Sequence, residues 1–406
     1  MKSLFSSPLK IIFCNSCVMS NQRPASIPEF SHIKNRKNSK YLNIDSKTGF
    51  CDACLANIKK ESIDWKEREK KLLILLNKHR GKYGEYDCIV PGSGGKDSAY
   101  AAHVLKYKYG MNPLTITWPP ILYTDYGHKN FKNWIEIGGF DNITYKPNGR
   151  VQKLLTKLSI KNLLHPFQTF ILGQKNIAPK IAKKFNIPLV FYGESEAEYG
   201  NPVAENNKSL RDSSYYTEKN INKIKLSGVP VKHLMKKYNL KIKEFYPFLP
   251  LSYKEVKNFN LEVHYLGYYL RWKPQEMFYY AVANTGFKPR PFRTQGTYSK
   301  YNSIDDKIDD LHYYTTYIKF GLGRASYDAS QEIRNNDITR EEGLSLVKKY
   351  DGEFPDKYFK DVLEFLEIKN DDFFKLVDKF RSPHIWKKYK NKWYLRHNVY
   401  KGGLDD

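Results

Sequence analysis

The stretch 93-SGGKDS-98 combines residue types that together could bind phosphate. Its adjacent glycines permit a tight turn in which backbone N–H groups point toward one place, and its two serine hydroxyls can donate further hydrogen bonds. Lys96 adds a positive charge. A short apolar run ends at Val90 and a helix-periodic segment begins at Ser98, so the positive end of a helix is expected here too. An ordinary glycine-rich turn is the simpler alternative, but the complete pattern favours a phosphate site.

The same residues do not match the loop of P-loop nucleotide-binding proteins, which reads G-x-x-x-x-G-K-[ST]. Val90 occupies the position of the first glycine, and Asp97 follows the lysine. The stretch instead resembles the pyrophosphate loop of the ATP pyrophosphatase (PP-loop) superfamily. That resemblance implies a doubly wound parallel sheet, and a reaction of ATP and Mg²⁺ that transfers AMP to a substrate oxygen and releases pyrophosphate. It assigns ATP contacts to Ser93, Gly94, Gly95, Lys96, Asp97 and Ser98, with Lys96, Asp97 and Ser98 as the catalytic residues.

Four of the five cysteines form two C-x-x-C pairs, which are separated by 33 residues. Each pair can place two thiolates on one turn, and two such turns complete a tetrahedral four-sulfur zinc site. A redox pair and disulfides are the alternatives. A redox pair is expected on a strand–helix unit, which both pairs precede, and disulfides are rare in the cytoplasm. We therefore predict an N-terminal module, residues 1–60, in which structural Zn²⁺ is bound by Cys14, Cys17, Cys51 and Cys54.

Composition narrows the class of protein. The chain has 406 residues, of which 41% are hydrophobic, enough for a packed core and two or three domains. The formal net charge is +25, but the basic residues are spread along the chain rather than clustered, so a nucleic-acid partner is not favoured. No apolar run approaches the ~20 residues of a membrane-spanning helix, and no signal peptide is evident. We expect a cytoplasmic protein.

The elements that must position the phosphate loop are predicted between residues 61 and 250. Short apolar runs alternate there with helix-periodic segments, a pattern typical of a parallel sheet with helices on both faces. Strands are predicted at 86–90, 114–118, 143–145 and 188–192. Because such sheets bind ligands at the carboxyl ends of their strands, Thr117, Gly193 and Glu194 are predicted to contact ATP.

The remaining residues, 251–406, are predicted to form a mostly helical acceptor or partner region. Helix periodicity is present at 274–285, 304–320, 340–350, 355–367 and 370–380. Two further segments, 288–302 and 321–336, are basic or rich in glycine, and we interpret them as loops. We predict that these loops form the acceptor and pyrophosphate side of the site through Arg290, Arg293, Arg324 and Asp328.

The order of the motifs resembles one family. Cys-x-x-Cys-Val-Met, Gly-Phe-Cys-x-x-Cys, Ser-Gly-Gly-Lys-Asp-Ser and Phe-Gly-Leu-Gly-Arg-Ala-Ser follow one another from about residue 13 to the low 380s. This combination is similar to that of the N-acetyl sugar amidotransferases, which make acetamidino sugars of bacterial surface polysaccharides such as lipopolysaccharide, or of nonulosonic acids. The resemblance implies that the acetamido oxygen of an N-acetyl sugar, nucleotide-linked in our expectation, attacks ATP to give an O-adenylyl imidate, from which ammonia displaces AMP.

The nitrogen must come from elsewhere. Cys88 lies within a predicted strand and is expected to be a small buried residue, the other cysteines are assigned to zinc, and position 2 is Lys. The chain therefore has no evident nucleophile for hydrolysing glutamine. We expect a separate glutaminase subunit that supplies ammonia, and the family resemblance implies the class I type with Cys, His and Glu.

Two other functions agree with part of the sequence. A tRNA-modifying enzyme of the same superfamily would suit the zinc module and the net charge; the lack of a spare cysteine pair argues against thiolation but not against lysidine-type ligation. A nucleotide sensor without catalytic activity would leave the C-terminal loops unexplained.

Overall fold

The structure of the protein is a computed structural model. It describes residues 2–25, 41–193, 208–218, 220 and 224–401. Glu194, which was predicted to bind ATP, lies outside these ranges. Within them, no helix combines the length and apolar character needed to cross a membrane.

A five-stranded parallel sheet lies at the centre of the fold. The strands of the described residues are β1 (Cys88–Pro91), β2 (Pro113–Thr117), β3 (Asn142–Thr144), β4 (Leu189–Tyr192), β5 (Lys225–Leu226), β6 (Val229–Pro230), β7 (Glu262–Tyr265), β8 (Trp386–Tyr389) and β9 (Lys392–Leu395). The sheet has the order β3-β2-β1-β4-β7 with every pair parallel, whereas β5-β6 and β8-β9 are separate antiparallel pairs. The chain moves outward from β1 first on one side and then on the other. The switch point, where open α/β sheets bind ligands, is therefore between β1 and β4.

Helices connect the strands and make up most of the C-terminal region. Those of the described residues are α1 (Asp52–Glu61), α2 (Trp65–His79), α3 (Lys96–His103), α4 (Asp125–Glu136), α5 (Gly149–Leu163), α6 (Gln168–Phe185), α7 (Val231–Tyr238), α8 (Ile242–Phe245), α9 (Tyr253–Phe259), α10 (Leu266–Tyr269), α11 (Pro274–Thr285), α12 (Asp309–Phe320), α13 (Arg324–Arg334), α14 (Arg340–Tyr350), α15 (Asp356–Leu366) and α16 (Asn370–Lys379). Asp64 caps α2 by accepting a hydrogen bond from the Glu67 backbone N–H, as its position before the apolar pattern suggested.

Both faces of the sheet are covered. Cys88 and Val90 of β1 belong to one core, which they share with α2, α3 and α11, while Ile89 belongs to a second core with α5 and α6. This alternation follows from the two-residue period of a strand, and two buried faces are typical of parallel sheets. Leu226 and Phe245 also lie in the second core, so the segment between β4 and β7 packs against the sheet.

The α/β fold with a parallel sheet and the helical C-terminal region are confirmed, with two corrections. β7 is part of the sheet, so the sheet continues beyond the predicted boundary at residue 250. This strand has only four residues, Glu262–Tyr265; its polar and apolar residues alternate, but the run is too short to stand out beside the helical pattern that follows. The segment 321–336 is not a loop, because α13 occupies 324–334. α13 lacks an apolar stripe because the residues that it buries are small or polar. They are Ala325, Ser326, Asp328, Ala329 and Ser330.

The C-terminal region reaches the sheet through two consecutive aspartates. The carboxylate of Asp306 is buried and accepts hydrogen bonds from the backbone N–H groups of Ile121 at 2.5 Å, Leu122 at 3.3 Å and Ile308 at 3.0 Å. The backbone carbonyl of Asp305 accepts from the Thr124 N–H at 3.1 Å. These bonds hold the segment before α12 against the loop that follows β2.

Asp306→Ala should lower the free energy of unfolding by about 3 kcal/mol, because buried N–H groups would lose their acceptor. Asp306→Asn is the matched control: its amide oxygen still accepts a hydrogen bond, so the loss should be clearly smaller. Urea unfolding followed by circular dichroism measures both. Equal stability of the two variants and the parent would contradict the anchoring role of this carboxylate.

Candidate functional site

A cavity of about 360 Å³ lies at the carboxyl ends of the strands. Its wall includes most of the 91–98 loop after β1, Ile116 and Trp118 at the end of β2, Gly193 after β4 and Tyr265 at the end of β7. This is the edge at which open parallel sheets bind ligands. The cavity therefore brings the phosphate loop and Gly193, both predicted from the sequence, to one place.

The conformation of the loop requires glycine. Gly94 has a φ of +86°, and a Cβ at this residue would lie 2.7 Å from the backbone oxygen of Asn130 in α4. Gly95 is the N-cap of α3, and both Gly95 and Ser98 line the cavity. The unpaired N–H groups and the positive end of this helix thus lie at the cavity wall, as an anion site needs.

Lys96 and Asp97 form a pair. The Lys96 ammonium lies 2.6 Å from the Asp97 carboxylate, and the lysine side chain is buried. Asp97 lines the cavity, whereas Lys96 is not one of the residues of its wall. In this arrangement the lysine charge is directed to Asp97.

Thr117 differs from its prediction. Its side chain is buried, and its hydroxyl oxygen accepts a hydrogen bond from the Asn142 side chain at 2.9 Å on the neighbouring strand β3. Side chains alternate along a strand, so Ile116 and Trp118 line the cavity instead. The strand end lies at the cavity, but the Thr117 side chain does not line it, and contact of the predicted residues with ATP stays a prediction.

Arg211 is a cation of the cavity wall that sequence reasoning missed. Its side chain is buried, and its guanidinium carbon lies 4.8 to 5.6 Å from the ring centres of Tyr192, Tyr215 and Tyr265. Contact with these three rings holds the Arg211 guanidinium in one position. A single arginine in a polar stretch has no motif, so only the structure reveals its position.

Ser93 links the phosphate loop to the C-terminal region. Its hydroxyl donates a hydrogen bond of 2.9 Å to the carboxylate of Asp305, 212 residues later in the chain. Burial raises the pKa of Asp305, while the Ser93 hydrogen bond and the charge of Arg290 oppose this shift. Asp305 was missed because its segment was predicted as the start of a helix; adjacent acids before an apolar pattern were the available signal.

Arg290, one of the predicted acceptor residues, is buried. It lies close enough to Asp305 for its positive charge to lower the pKa of that carboxyl group. Its Nη2 donates to the backbone oxygen of Ile304 at 3.1 Å, but Nε and Nη1 have no hydrogen-bond partner among the described residues. Both carboxylate oxygens of buried Asp310 are likewise without one. Burial raises the pKa of Asp310 to about 7, although Arg290 and Lys357 act in the opposite direction.

The other predicted acceptor residues form internal ion pairs. Arg293 makes two hydrogen bonds to Glu353, at 2.5 and 2.6 Å, and Arg324 lies 2.7 Å from Asp328. Asp328 also accepts from the Thr297 hydroxyl at 2.7 Å. These pairs connect the segment around residues 293–302 with α13 and with the segment after α14. Their contact with an acceptor stays a prediction.

The four cysteines Cys14, Cys17, Cys51 and Cys54 are brought together and are all buried. Their Sγ atoms are separated by 3.8 Å (14 to 54), 3.7 Å (17 to 51) and 3.6 Å (51 to 54). Four sulfurs bound tetrahedrally at about 2.3 Å from a zinc ion lie about 3.8 Å apart, so the cluster could hold such a metal. The cysteines are free, which excludes the disulfide alternative in this structure.

The cysteine cluster packs against the C-terminal region. Cys14 and Cys17 share a core with Phe320 and Leu322, the residues around the end of α12. The Arg340 guanidinium of α14 donates to the backbone oxygens of both cysteines at 3.4 Å. No cysteine of the cluster lines the cavity beside the phosphate loop.

Comparison with known proteins finds a similarity between the C-terminal region and a protein family. A family model described as "LPS biosynthesis protein WbpG-like, C-terminal domain" matches residues 295–400. The uncharacterized protein MJ1599 of Methanocaldococcus jannaschii is 32% identical over 84 residues, 21% of this chain and 30% of that protein, so the match spans less than a third of the relative. NMN synthetase from Francisella tularensis is similar over 49% of this chain and 92% of its own, with 19% identity and a TM-score of 0.26.

The matched residues include Asp305, which binds the phosphate loop, and the Arg324–Asp328 pair. Residues 295–400 are thus similar to a C-terminal domain of lipopolysaccharide-biosynthesis proteins, which agrees with part of the resemblance noted in the sequence.

Cys51→Ser should reduce bound zinc and lower the unfolding temperature markedly, because metal-binding energy in such sites is folding energy of about 10 kcal/mol. Cys88→Ser is the matched control, since Cys88 is equally buried but lies outside the cluster. Elemental analysis and thermal unfolding measure the two effects. Well-folded parent protein without stoichiometric zinc would contradict the assignment.

Proposed function

We propose that this protein is an ATP-dependent amidotransferase that converts the N-acetyl group of a sugar to an acetamidino group during synthesis of a bacterial surface glycan. The observation that supports this most directly is the hydrogen bond between Ser93 and Asp305. It joins a loop with the features of an ATP pyrophosphatase to a region similar to a lipopolysaccharide-biosynthesis domain. A nucleotide-dependent sugar enzyme needs both parts at one site.

The reaction has two steps. The acetamido oxygen attacks the α-phosphorus of ATP, a new P–O bond forms, and the bond to the β-phosphate breaks to release pyrophosphate. Ammonia then adds to the imidate carbon, whose bond to the AMP oxygen breaks, and the amidine takes up the proton set free. Adenylation is needed because an amide oxygen is a poor leaving group until it carries phosphate.

The residues of the loop suit the first step. The start of α3, Gly95 and the Ser98 hydroxyl can bind phosphate oxygens, and such preorganised donors stabilise charge that develops in a phosphoryl transition state. Ile116 and Trp118 line the cavity at the end of β2 and give it an apolar wall. Asp97 and Asp305 present carboxylate oxygens beside the loop, the ligands that Mg²⁺ prefers, and the ion would neutralise phosphate charge.

Asp97→Ala and Lys96→Ala should reduce pyrophosphate release in the presence of ATP and an N-acetyl sugar by about 100-fold, because the first removes a candidate Mg²⁺ ligand and the second removes the charge that positions it. Lys129→Ala, an exposed site on α4, is the control and should keep full activity. Mass spectrometry should detect the replacement of O by NH in the sugar. Release of ADP and phosphate would refute the adenylation step, and copurified tRNA that becomes modified would favour the alternative enzyme class.

The isolated chain should use ammonium salts, with activity that increases with pH as more free ammonia is present, and should not use glutamine. Burial raises the pKa of Cys88, which makes this thiol a poor nucleophile. We propose that a separate class I glutaminase supplies the ammonia, and its addition should confer glutamine dependence. Glutamine-driven turnover by the purified chain alone would overturn this proposal.

A further inference from the structure

A second cleft, separate from the phosphate loop, has no place in the proposed reaction. It has a volume of about 520 Å³ and lies between the end of β3, the second half of α6 and the turn at residues 246–251. At about 30 Å³ for each water, it has room for a ligand of roughly 17 heavy atoms. Most of its wall is apolar: Ile143, Tyr145, Ile177, Ile181, Phe185, Pro247 and Leu251, together with the Tyr246 side chain.

The charged side chains that line this cleft are all basic. Lys180, Lys183 and Lys184 line it, and no carboxylate of the described residues belongs to its wall. Lys183 is exposed and pairs with Glu255 at 2.7 Å. Lys184 is exposed at the rim. The cleft therefore disfavours a cationic ligand and would attract an anion.

Lys180 is the unusual member. Its side chain is 92% buried, yet no carboxylate of the described residues lies within 4 Å of its ammonium. The ammonium donates to the backbone oxygen of Tyr246 and lies 4.1 Å from the centre of that tyrosine ring. Burial lowers the pKa of Lys180 to about 7, and the charge of Glu255 opposes this only in part. The charged form of this amine is therefore costly while it has no anionic partner, and an anion in the cleft would stabilise it.

The cleft is adjacent to the cavity beside the phosphate loop, but no residue of the phosphate loop lines the cleft. Ile177 lines both spaces. Trp118 on the cavity side stacks on Tyr145 on the cleft side, with ring centres 6.1 Å apart and planes at 11°. These three side chains form the partition, so a ligand in the cleft would contact the wall of the cavity.

We propose that this cleft is a second binding site for an apolar anion, whose carboxylate or phosphate group is bound by Lys180 while its aliphatic or aromatic body covers the exposed rings of Phe185 and Tyr246. The anion supplies the missing partner of the buried ammonium. The apolar wall supplies affinity in proportion to the area removed from water. This site does not depend on the proposed reaction.

The test uses the fluorescent apolar anion 8-anilinonaphthalene-1-sulfonate and the full chain. We expect saturable binding that octanoate or octyl phosphate displaces, and that octylammonium, with the same apolar body and the opposite charge, does not. Displacement by only one of the two anions would identify the headgroup and support the site. Displacement by octylammonium at the same concentration, or by ATP, would overturn it.

Two variants locate the binding. Lys180→Met keeps the apolar stem and should weaken binding by about tenfold, the effect of one lost charge-assisted hydrogen bond. Because replacing a buried charge by an apolar residue is often neutral for stability, this variant should fold. Lys236→Met, exposed on α7, is the control and should bind as the parent does. Leu251→Trp should fill the cleft and abolish binding with Lys180 intact. Unchanged affinity in Lys180→Met or in Leu251→Trp would refute the proposal.

Discussion

The candidate site depends on the contact of Asp305 and Asp306 with the carboxyl edge of the sheet. Asp306 is the acceptor for three backbone N–H groups, two of them in the loop after β2, and Asp305 accepts from Ser93 in the loop after β1. Bringing such distant segments together costs chain entropy, and several buried or partly buried hydrogen bonds to these two carboxyl groups offset that cost. The contact also places the start of the C-terminal region beside the phosphate loop.

Helix α4 sets the spacing of this contact. The backbone at its Asn130 packs against Gly94 of the phosphate loop, while its Gly127 packs against Asp305, where a Cβ would lie 2.6 Å from the backbone oxygen. One helix is thus enclosed on two sides by segments that approach as closely as glycine allows. A side chain at either glycine would push the loop or the aspartate segment outward and lengthen the Ser93–Asp305 bond.

The sequence predicted what local patterns determine. The alternation of apolar runs and helix periods between residues 61 and 250 was sufficient for the parallel sheet, and the glycine–lysine stretch was sufficient for the loop at its edge. The sequence did not predict features of the site that depend on the orientation of one residue or on one tertiary contact. Thr117 and Trp118 are neighbours in a strand end, and only register determines which faces the cavity. Arg211 enters the site through tertiary contacts that have no local signature, and the only local signal for Asp305 was a pair of adjacent acids. α13 buries small residues that do not resemble a core.

The cysteine cluster is connected through α12 to the same aspartate segment, although its cysteines do not line the cavity. It shares a core with the end of α12 and is bound by Arg340 of α14. At its other end, α12 starts with Asp309, a carboxyl group whose pKa burial and the neighbouring Asp305 both raise. One rigid helix therefore connects the cluster with the aspartate segment that binds Ser93. Because packed helices transmit displacement rather than absorb it, we expect the geometry beside the phosphate loop to be coupled to the cysteine cluster, although none of its four cysteines lines the cavity.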